Sequence, residues 1–211
     1  MLLFFDKTLY TGYQFGDLIL KKLLVIDNYD SFTFNLVQMF KQYNLDIHIY
    51  RNDKIDLESA EKLDPDYILI SPGPRTPEYS GISIALIEKF QTRKPILGVC
   101  LGMQCINELY GGKTVKAPVP VHGKRDKIYH GNRGIFNKMP IPFPAARYHS
   151  LIVERESSDL IETAHTREGI IMGIEHKEYP LFGIQFHPES FMTEEGFTMI
   201  ENFLDSGIKK I

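Results

Sequence analysis

Short apolar runs alternate with segments of helical period through the first half of the sequence. The apolar runs cover residues 23–27 (LLVID), 47–50, 67–70 and 95–99. Runs of this kind are typical of strands that are buried on both faces of a parallel sheet. The intervening patterns predict helices over residues 32–43, 57–63, 82–90 and 101–110. Strand–helix alternation predicts a parallel α/β sheet with right-handed crossovers.

The second half of the chain has a different pattern, with many turn residues. Prolines stand at 118, 120, 140, 142 and 144. Alternating segments predict mostly antiparallel strands at about 127–130, 151–154, 161–165, 170–176 and 181–186, and a last helix over about 194–204. We therefore expect an α/β fold, with a mainly parallel central sheet flanked by helices and an added antiparallel β region. Residues 23–207 form one domain in this interpretation, and residues 1–22 are an N-terminal extension without a clear period.

Composition excludes several classes of protein. The chain has 211 residues, of which 43% are hydrophobic, and this suits a single globular domain. The net charge is −3, and Lys and Arg are scattered among acids, so no nucleic-acid surface is expected. No apolar run has the length of a membrane span, and no signal-peptide core is recognisable. Two cysteines, Cys100 and Cys105, make no disulfide framework, so we expect a cytoplasmic protein.

A glycine-flanked cysteine occupies the junction between the strand predicted at 95–99 and the following helix. The sequence there is GVCLG, residues 98–102. This is the thiol form of the nucleophile elbow, in which a tight turn exposes the reactive group. A helix N-terminus favours the thiolate, and the Leu101 amide is placed to donate to an oxyanion. Taken alone, the pattern is equally compatible with a buried cysteine in a tight turn.

A histidine and a glutamate flank a proline at the end of the strand predicted at 181–186. In an extended segment, His187 and Glu189 point to the same side, so one can act as a base and the other can orient it. Pro188 lacks a backbone donor, which indicates the end or the edge of a strand. The alternative is an exposed loop with an incidental His and Glu.

A third candidate follows the strand predicted at 67–70, where the sequence reads SPGP. Gly73 lies between two prolines, which exclude both helix and sheet ladder there. Its amide can face the crevice in which α/β sheets bind ligands and can serve as a second oxyanion donor. The alternative is a plain turn.

Six stretches together resemble the class I, or triad, glutamine amidotransferases. They are VIDNYDSFTFNLVQ (25–38), ISPGPRTP (70–77), PILGVCLGMQ (95–104), VHGK (121–124), ARYHSL (146–151) and GIQFHPES (183–190). The resemblance implies that Cys100 attacks the side-chain amide of L-glutamine, with His187 as base and Glu189 as its orienting partner. It also implies an oxyanion hole from the Gly73 and Leu101 amides. The glutamine-binding positions of relatives match Gly73, Gln104, Ser150 and Leu151.

Within that family, the chain is similar to the small subunits of anthranilate synthase and aminodeoxychorismate synthase. The resemblance implies a large, chorismate-using partner subunit that receives the ammonia. The stretch from residue 171 to residue 190 leans toward the aminodeoxychorismate branch, and one subunit can also serve both enzymes. We expect no cofactor, and the sequence has no metal-ligand motif and no phosphate loop for ATP. The rivals are a stand-alone γ-glutamyl hydrolase of the same fold and a non-catalytic interaction subunit.

Some positions depart from the family pattern or keep two interpretations open. Met103 replaces a common His, and Arg75 replaces a common Gly. Residues 124–126 (KRD) replace the usual pattern, in which HGK is followed by small hydroxyl residues. Arg75 can alter access to the site. Tyr148 and His149 are a possible catalytic pair, although a structural role is the safer interpretation. Residues 28–31 (NYDS) are either a helix cap or a surface near the partner subunit.

Overall fold

The structure, a computed structural model, describes residues 20–207. The elements in chain order are β1 (Lys21–Asp27), α1 (Thr33–Phe40), β2 (Leu45–Arg51), α2 (Leu57–Leu63), β3 (Tyr67–Ile70), α3 (Ser83–Phe90), β4 (Ile96–Val99), α4 (Leu101–Leu109), β5 (Lys113–His130), β6 (Phe143–Glu154), β7 (Leu160–His165), β8 (Ile171–His176), β9 (Leu181–Ile184) and α5 (Gly196–Ser206). Most of the predicted extension, residues 1–19, lies outside the described residues. Strand β1 begins at Lys21, two residues before the strand that the sequence predicts.

The described strands form a nine-stranded sheet in the order β2-β1-β3-β4-β9-β8-β7-β5-β6. The first five of these strands pair in parallel, and the pairs from β9 onward are antiparallel. This mixed sheet confirms the predicted fold class. None of the helices described between residues 20 and 207 is long and apolar enough to cross a membrane.

The parallel strands are buried on both faces, which is why they have continuous apolar sequences. Alternate residues of β1 enter different clusters, Leu23 and Val25 on one face and Leu24 and Ile26 on the other. Helices α1 and α5 pack in the first cluster, for example through Phe40. Helices α3 and α4 pack in the second cluster. The sheet is therefore a rigid middle layer between two layers of helices.

Two predictions about the second half are incomplete. The strands predicted at 127–130 and 151–154 are only parts of β5 and β6, which form a long antiparallel ribbon. The strand predicted at 181–186, grouped with the antiparallel strands, pairs in parallel with β4 as well as antiparallel with β8. Strand β9 thus joins the two halves of the sheet.

The junction at β9 decides where the candidate residues meet. Parallel strands end at the same edge of a sheet, and ligands bind there in α/β folds. Strand β4 ends just before Cys100, β9 ends just before Gln185, and β3 ends just before Ser71. The fold consequently brings the three sequence signals to one edge, although they are distant in the chain.

Candidate active site

Cys100 lies on a strained turn between β4 and α4. Its φ is 54° and its ψ is −101°, a conformation that L-residues rarely adopt and that is commonly retained at functional sites. Its backbone N–H donates to Ile184 O at 2.7 Å, and this bond ties the turn to β9. The thiol lies at the N-terminus of α4, where the helix dipole favours negative charge. Cys100 is 7% exposed, so access to the thiol is restricted.

Two glycines allow the close approach that forms this turn. A Cβ on Gly98 would lie 2.5 Å from the backbone of Gly102, and a Cβ on Gly102 would lie 2.5 Å from Ile70 O. Real Cβ atoms do not come this close to backbone, so any side chain would push α4 away from β4 or β3. The two flanking glycines therefore permit backbone contacts that any side chain would prevent.

A Gly98→Ala substitution is expected to lower the free energy of unfolding by about 1–3 kcal/mol, since strand and helix backbones must separate. Gly131→Ala is the matched control, because a Cβ there meets nothing within 4 Å. Its effect should be within about 1 kcal/mol, in either direction. Urea unfolding of both variants measures the difference. Equal stabilities would contradict the close helix–strand contact.

His187 and Glu189 form a buried pair. His187 Nδ1 lies 2.6 Å from Glu189 Oε1, and the side chains are 3% and 0% exposed. The sequence predicts an extended segment here, but the structure has a bend and a turn after β9. His187 N donates to Ala146 O on β6 at 3.0 Å, and Thr193 Oγ1 donates to His187 O at 2.7 Å. These bonds fix the backbone that carries the imidazole.

The charge state of His187 is set by its two neighbours. Burial acts to lower its pKa, but interactions with the Cys100 thiol and the Glu189 carboxylate outweigh burial and raise the pKa to about 10. Nε2, the other ring nitrogen, has no hydrogen-bond partner of good geometry within residues 20–207. The imidazole is thus anchored at Nδ1 and available at Nε2, the arrangement required for proton exchange with a neighbouring thiol.

A cavity of about 250 Å³ opens beside Cys100. It is smaller than the roughly 300–1,000 Å³ of pockets for drug-sized ligands, and it suits a molecule of amino-acid size. Its lining includes Cys100 and the predicted glutamine-binding residues Gly73, Gln104, Ser150 and Leu151. His187, Glu189 and Leu101 are not among the lining residues. The structure therefore brings the predicted binding residues together around the thiol, with the His–Glu pair outside the wall.

The loop that carries Gly73 is held by a buried polar network. A Cβ on Gly73 would lie 2.5 Å from Leu101 Cδ2 and 2.6 Å from Asn28 Cβ, so this loop packs directly on the start of α4. Asn28 Nδ2 donates to Ser71 O, and Asn28 N donates to Ser71 Oγ, both at 2.9 Å. Asn52 and Ser83 donate to Asn28 Oδ1. Gly73 and Leu101 are neighbours because Asn28 fixes the loop.

This network also revises the interpretation of residues 28–31. Phe32 is the N-cap of α1, and its side chain makes no capping hydrogen bond. Asp30 Oδ1 accepts from Phe32 N at 2.8 Å, which is a local turn rather than the expected cap. Asn28 is 2% exposed and joins the network, whereas Tyr29 is 46% exposed. Within residues 28–31, Asn28 therefore has a structural role in the interior, and Tyr29 is exposed at the surface.

Tyr148 and His149 differ in their surroundings. Arg147 Nε donates to His149 Nε2 at 3.0 Å, so Nδ1 carries the proton and donates to Leu151 O at 2.9 Å. Burial, together with the positive charge of Arg147, lowers the pKa of His149 to about 4. His149 is consequently neutral and committed to the backbone, which supports the structural interpretation. The Tyr148 ring packs edge-on against His187, with ring centroids 5.2 Å apart.

The departures from the family pattern lie around the site without displacing it. Met103 is buried in the core cluster beneath α4 and would contact any Cβ at Gly183. Arg75 adopts a φ of 68°, lines the cavity, and places its guanidinium 5.0 Å from the Tyr79 ring. Arg125 pairs with Glu194 at the surface. Arg75 is thus the departure that bears on access.

Several residues at the site were not predicted from the sequence as site residues. Asp30 and His122 line the cavity, and Gln185 donates to Cys100 Sγ at 3.4 Å. Gln185 lies two residues before His187. Side chains at this spacing in an extended segment point to the same side, so the sequence could have indicated Gln185 as a site residue. Asp30 lies in the connection between β1 and α1, and His122 lies in β5. No local sequence spacing predicts that either residue lines the cavity. Among residues 20–207, no group of three or more His, Cys, Asp or Glu side chains is arranged to hold a metal ion.

Comparisons with known proteins identify the family of this chain. The sequence profile of the family described as glutamine amidotransferase class-I matches residues 24–206. Anthranilate synthase component 2 from Thermus thermophilus is 49% identical over 187 residues, covering 87% of this chain and 92% of that protein. The aminodeoxychorismate/anthranilate synthase component 2 from Bacillus subtilis is 46% identical over 191 residues, covering 90% and 98%.

Two further similarities extend the comparison. The bifunctional protein TrpGD from Thermotoga maritima is 48% identical over 203 residues, which are 93% of this chain but only 34% of that protein. The chain therefore spans about a third of the length of this relative. A crystal structure of a glutamine amidotransferase from Thermotoga maritima has a TM-score of 0.74 at 12% identity, covering 90% of this chain and 99% of that chain, and supports the fold alone. The profile match and the nearly full-length relatives establish that this chain belongs to the class I glutamine amidotransferase family.

Proposed function

We propose that this protein is the glutaminase subunit of a chorismate-using synthase in the cytoplasm. Cys100 transfers its proton to His187 Nε2, and the thiolate attacks the side-chain carbonyl carbon of L-glutamine. Glu189 accepts a hydrogen bond from Nδ1 and stabilises the imidazolium. The 2.6 Å contact between His187 and Glu189, and the pKa of His187 of about 10, support these roles.

The attack produces an oxyanion on the carbon that Cys100 bonds. The Leu101 amide is the first of α4, and such amides have no partner within their helix. The Gly73 amide belongs to the loop that packs on Leu101. Both can donate to the oxyanion. The intermediate then collapses as the C–N bond breaks, and His187 gives its proton to the departing nitrogen, which leaves as ammonia. A thioester of Cys100 remains.

Hydrolysis of the thioester restores the enzyme. Water attacks the carbonyl carbon while His187 accepts its proton, and the C–S bond breaks to release glutamate. The proton returns to the sulfur. Gln104, Ser150 and Leu151 hold the amino-acid end of glutamine on the cavity wall in this proposal. Water is the only reactant besides glutamine in these proposed steps.

The partner is inferred from the relatives. Both nearly full-length relatives are named component 2 of a synthase, and their names include anthranilate synthase. By analogy, this chain passes ammonia to a chorismate-binding subunit that makes anthranilate or aminodeoxychorismate. Ammonia becomes protonated in bulk water and loses its nucleophilicity, so a protected path between the two sites is expected.

The observation that carries the proposal is the position of the buried His187–Glu189 pair next to the thiol at the wall of a small cavity. The test is glutamate release from glutamine, measured with this subunit alone and with a chorismate-binding subunit present. We expect the partner to raise the rate, and we expect anthranilate or aminodeoxychorismate to form only when both subunits are present. Assays with each type of large subunit assign the branch.

Two results would overturn this function. Rapid turnover of γ-glutamyl peptides by the isolated chain, unchanged by any partner, would favour the stand-alone hydrolase. Binding to the partner without any glutamate release would favour the non-catalytic interaction subunit.

A further inference from the structure

Gln185 is a buried polar residue that contacts the sulfur of Cys100 and has no role in the steps above. Gln185 is fully buried, with 0% of the residue exposed. Nε2 donates to Cys100 Sγ at 3.4 Å, and Oε1 accepts from Gln104 Nε2 at 3.2 Å. Because Gln104 donates to the oxygen, the NH2 group is the end that faces the sulfur. Both ends of the amide are therefore assigned.

The chain holds Gln185 at a defined place. Gln185 N donates to Met172 O on β8 at 3.0 Å, next to the point where Cys100 N donates to Ile184 O. Phe186, the next residue, is buried and packs its ring against Phe143 at a centroid distance of 5.5 Å. Gln185 and His187 both face Cys100, since Gln185 donates to its sulfur and His187 interacts with its thiol.

A thiolate at this position needs hydrogen-bond donors. Cys100 is 7% exposed, so little water can solvate its negative charge, and a buried unpaired charge is strongly disfavoured. The side-chain amide of Gln185 cannot lose a proton, so it provides a permanent donor. His187 also approaches the sulfur, but it must exchange protons during the reaction. A donor that stays protonated throughout complements it.

We propose that Gln185 is a further catalytic residue, which donates a hydrogen bond to the Cys100 sulfur, stabilises its thiolate form and orients Gln104 at the cavity wall. The inference deepens the proposed function, since it assigns another side chain to the same nucleophile. One consequence of the inference can be tested without measuring glutamine turnover. The effect on the thiolate can be measured by alkylation, without glutamine or the partner.

Other charged and titratable groups surround the sulfur, and they also influence its ionisation. They are His187 with Glu189, and the cavity residues Asp30, Arg75, His122 and His149. All of them stay unchanged in variants of Gln185. A difference between wild type and variant therefore reports on Gln185.

The experiment compares Gln185→Met, which keeps the length of the side chain but removes the donor, with Gln38→Met on the exposed face of α1. The rate of alkylation of Cys100 by iodoacetamide is followed against pH by mass spectrometry of the full chain. We expect the midpoint of the Gln185→Met profile to move up by about one pH unit and the rate at neutral pH to fall about tenfold. The Gln38→Met profile should match wild type.

Cys105 reports on folding in the same samples, because it is fully buried and burial raises its pKa to about 12. It should stay unalkylated in any folded variant. If Gln185→Met exposes Cys105, the wild-type protein supplies the test instead, by nuclear magnetic resonance of the Gln185 side-chain amide. That resonance should move with the midpoint of Cys100 alkylation.

An alkylation midpoint unchanged in folded Gln185→Met, or an amide resonance that stays still through the midpoint, would overturn the inference. Neither result bears on glutamine hydrolysis by the wild type. Conversely, a wild type that alkylates as expected but releases no glutamate with its partner would overturn the proposed function alone.

Discussion

A complex in which Cys100 is replaced by Ser or Ala is expected to lose glutamine-dependent synthesis and to retain synthesis from ammonium salt. In the proposed mechanism the thiolate of Cys100 bonds to the glutamine carbonyl carbon, and neither Ser nor Ala provides a thiolate at this position. We expect glutamate release to fall by about 10³-fold or more. The partner's reaction with ammonia does not use this site, so its rate at high ammonium concentration should stay near wild type.

Cys105→Ala is the control for the loss of a thiol. Cys105 lies in the buried cluster beneath α4 and does not line the cavity. The variant should therefore lose some stability but keep its glutamine-dependent rate. If the Cys100 variants lose both the glutamine and the ammonium activities, Cys100 supports folding or docking instead. If they still hydrolyse glutamine, the assignment of the nucleophile is wrong.

The parallel half of the fold could be predicted closely from sequence. The bounds of α2 and β3, residues 57–63 and 67–70, agree with the structure. Strand β3 is buried throughout, and its apolar run is therefore continuous and bounded by polar residues. Asp56 accepts from Ser59 N at 2.8 Å and caps α2, which marks the start of that helix. Burial and capping are local properties, and the sequence displays them directly.

The ribbon of β5 and β6 could not be predicted at its full length. Much of β5 is exposed, so its residues show no strict alternation of apolar and polar side chains. Its pairing with β6 shifts register between Lys116 and Val121 and between His122 and Lys124. The prolines at 118 and 120 fall within the first irregularity, where a missing donor is tolerated. These prolines suggest loops in a sequence but are accommodated by the ribbon.

The orientation of β9 depends on a non-local pairing. Its sequence resembles that of β8, with which it pairs antiparallel. Its parallel pairing with β4 is not visible in the local sequence. The same pairing brings Gln185 to Cys100, from which it is far in the chain. Local spacing identified the His187–Glu189 pair and the elbow at Cys100. His122 reaches the site through the pairing of β5 with β6, and its place at the cavity could be seen only in the structure.

His187→Ala and Glu189→Gln are expected to reduce glutamine hydrolysis to different degrees. His187 must exchange a proton with both the thiol and the departing nitrogen, so its loss should lower the rate by about 10²–10⁴-fold. Glu189 orients the imidazole through one contact at Nδ1 and stabilises its cation. A glutamine side chain has the same shape and can still accept a hydrogen bond. We expect the Glu189→Gln rate to exceed the His187→Ala rate by about tenfold or more.

Alkylation of Cys100 gives an independent measure of this graded pair. His187 favours the thiolate as an imidazolium, and Glu189 favours the imidazolium, so iodoacetamide should react more slowly with both variants at neutral pH. His165→Ala on β7, away from the cavity, is the matched control and should retain the wild-type rates. A folded Glu189→Gln variant as inactive as His187→Ala would give Glu189 a role beyond orientation. Near-normal hydrolysis by His187→Ala would contradict the triad, and since Arg147 and Leu151 occupy both nitrogens of His149, His122 at the cavity wall would be the next candidate base.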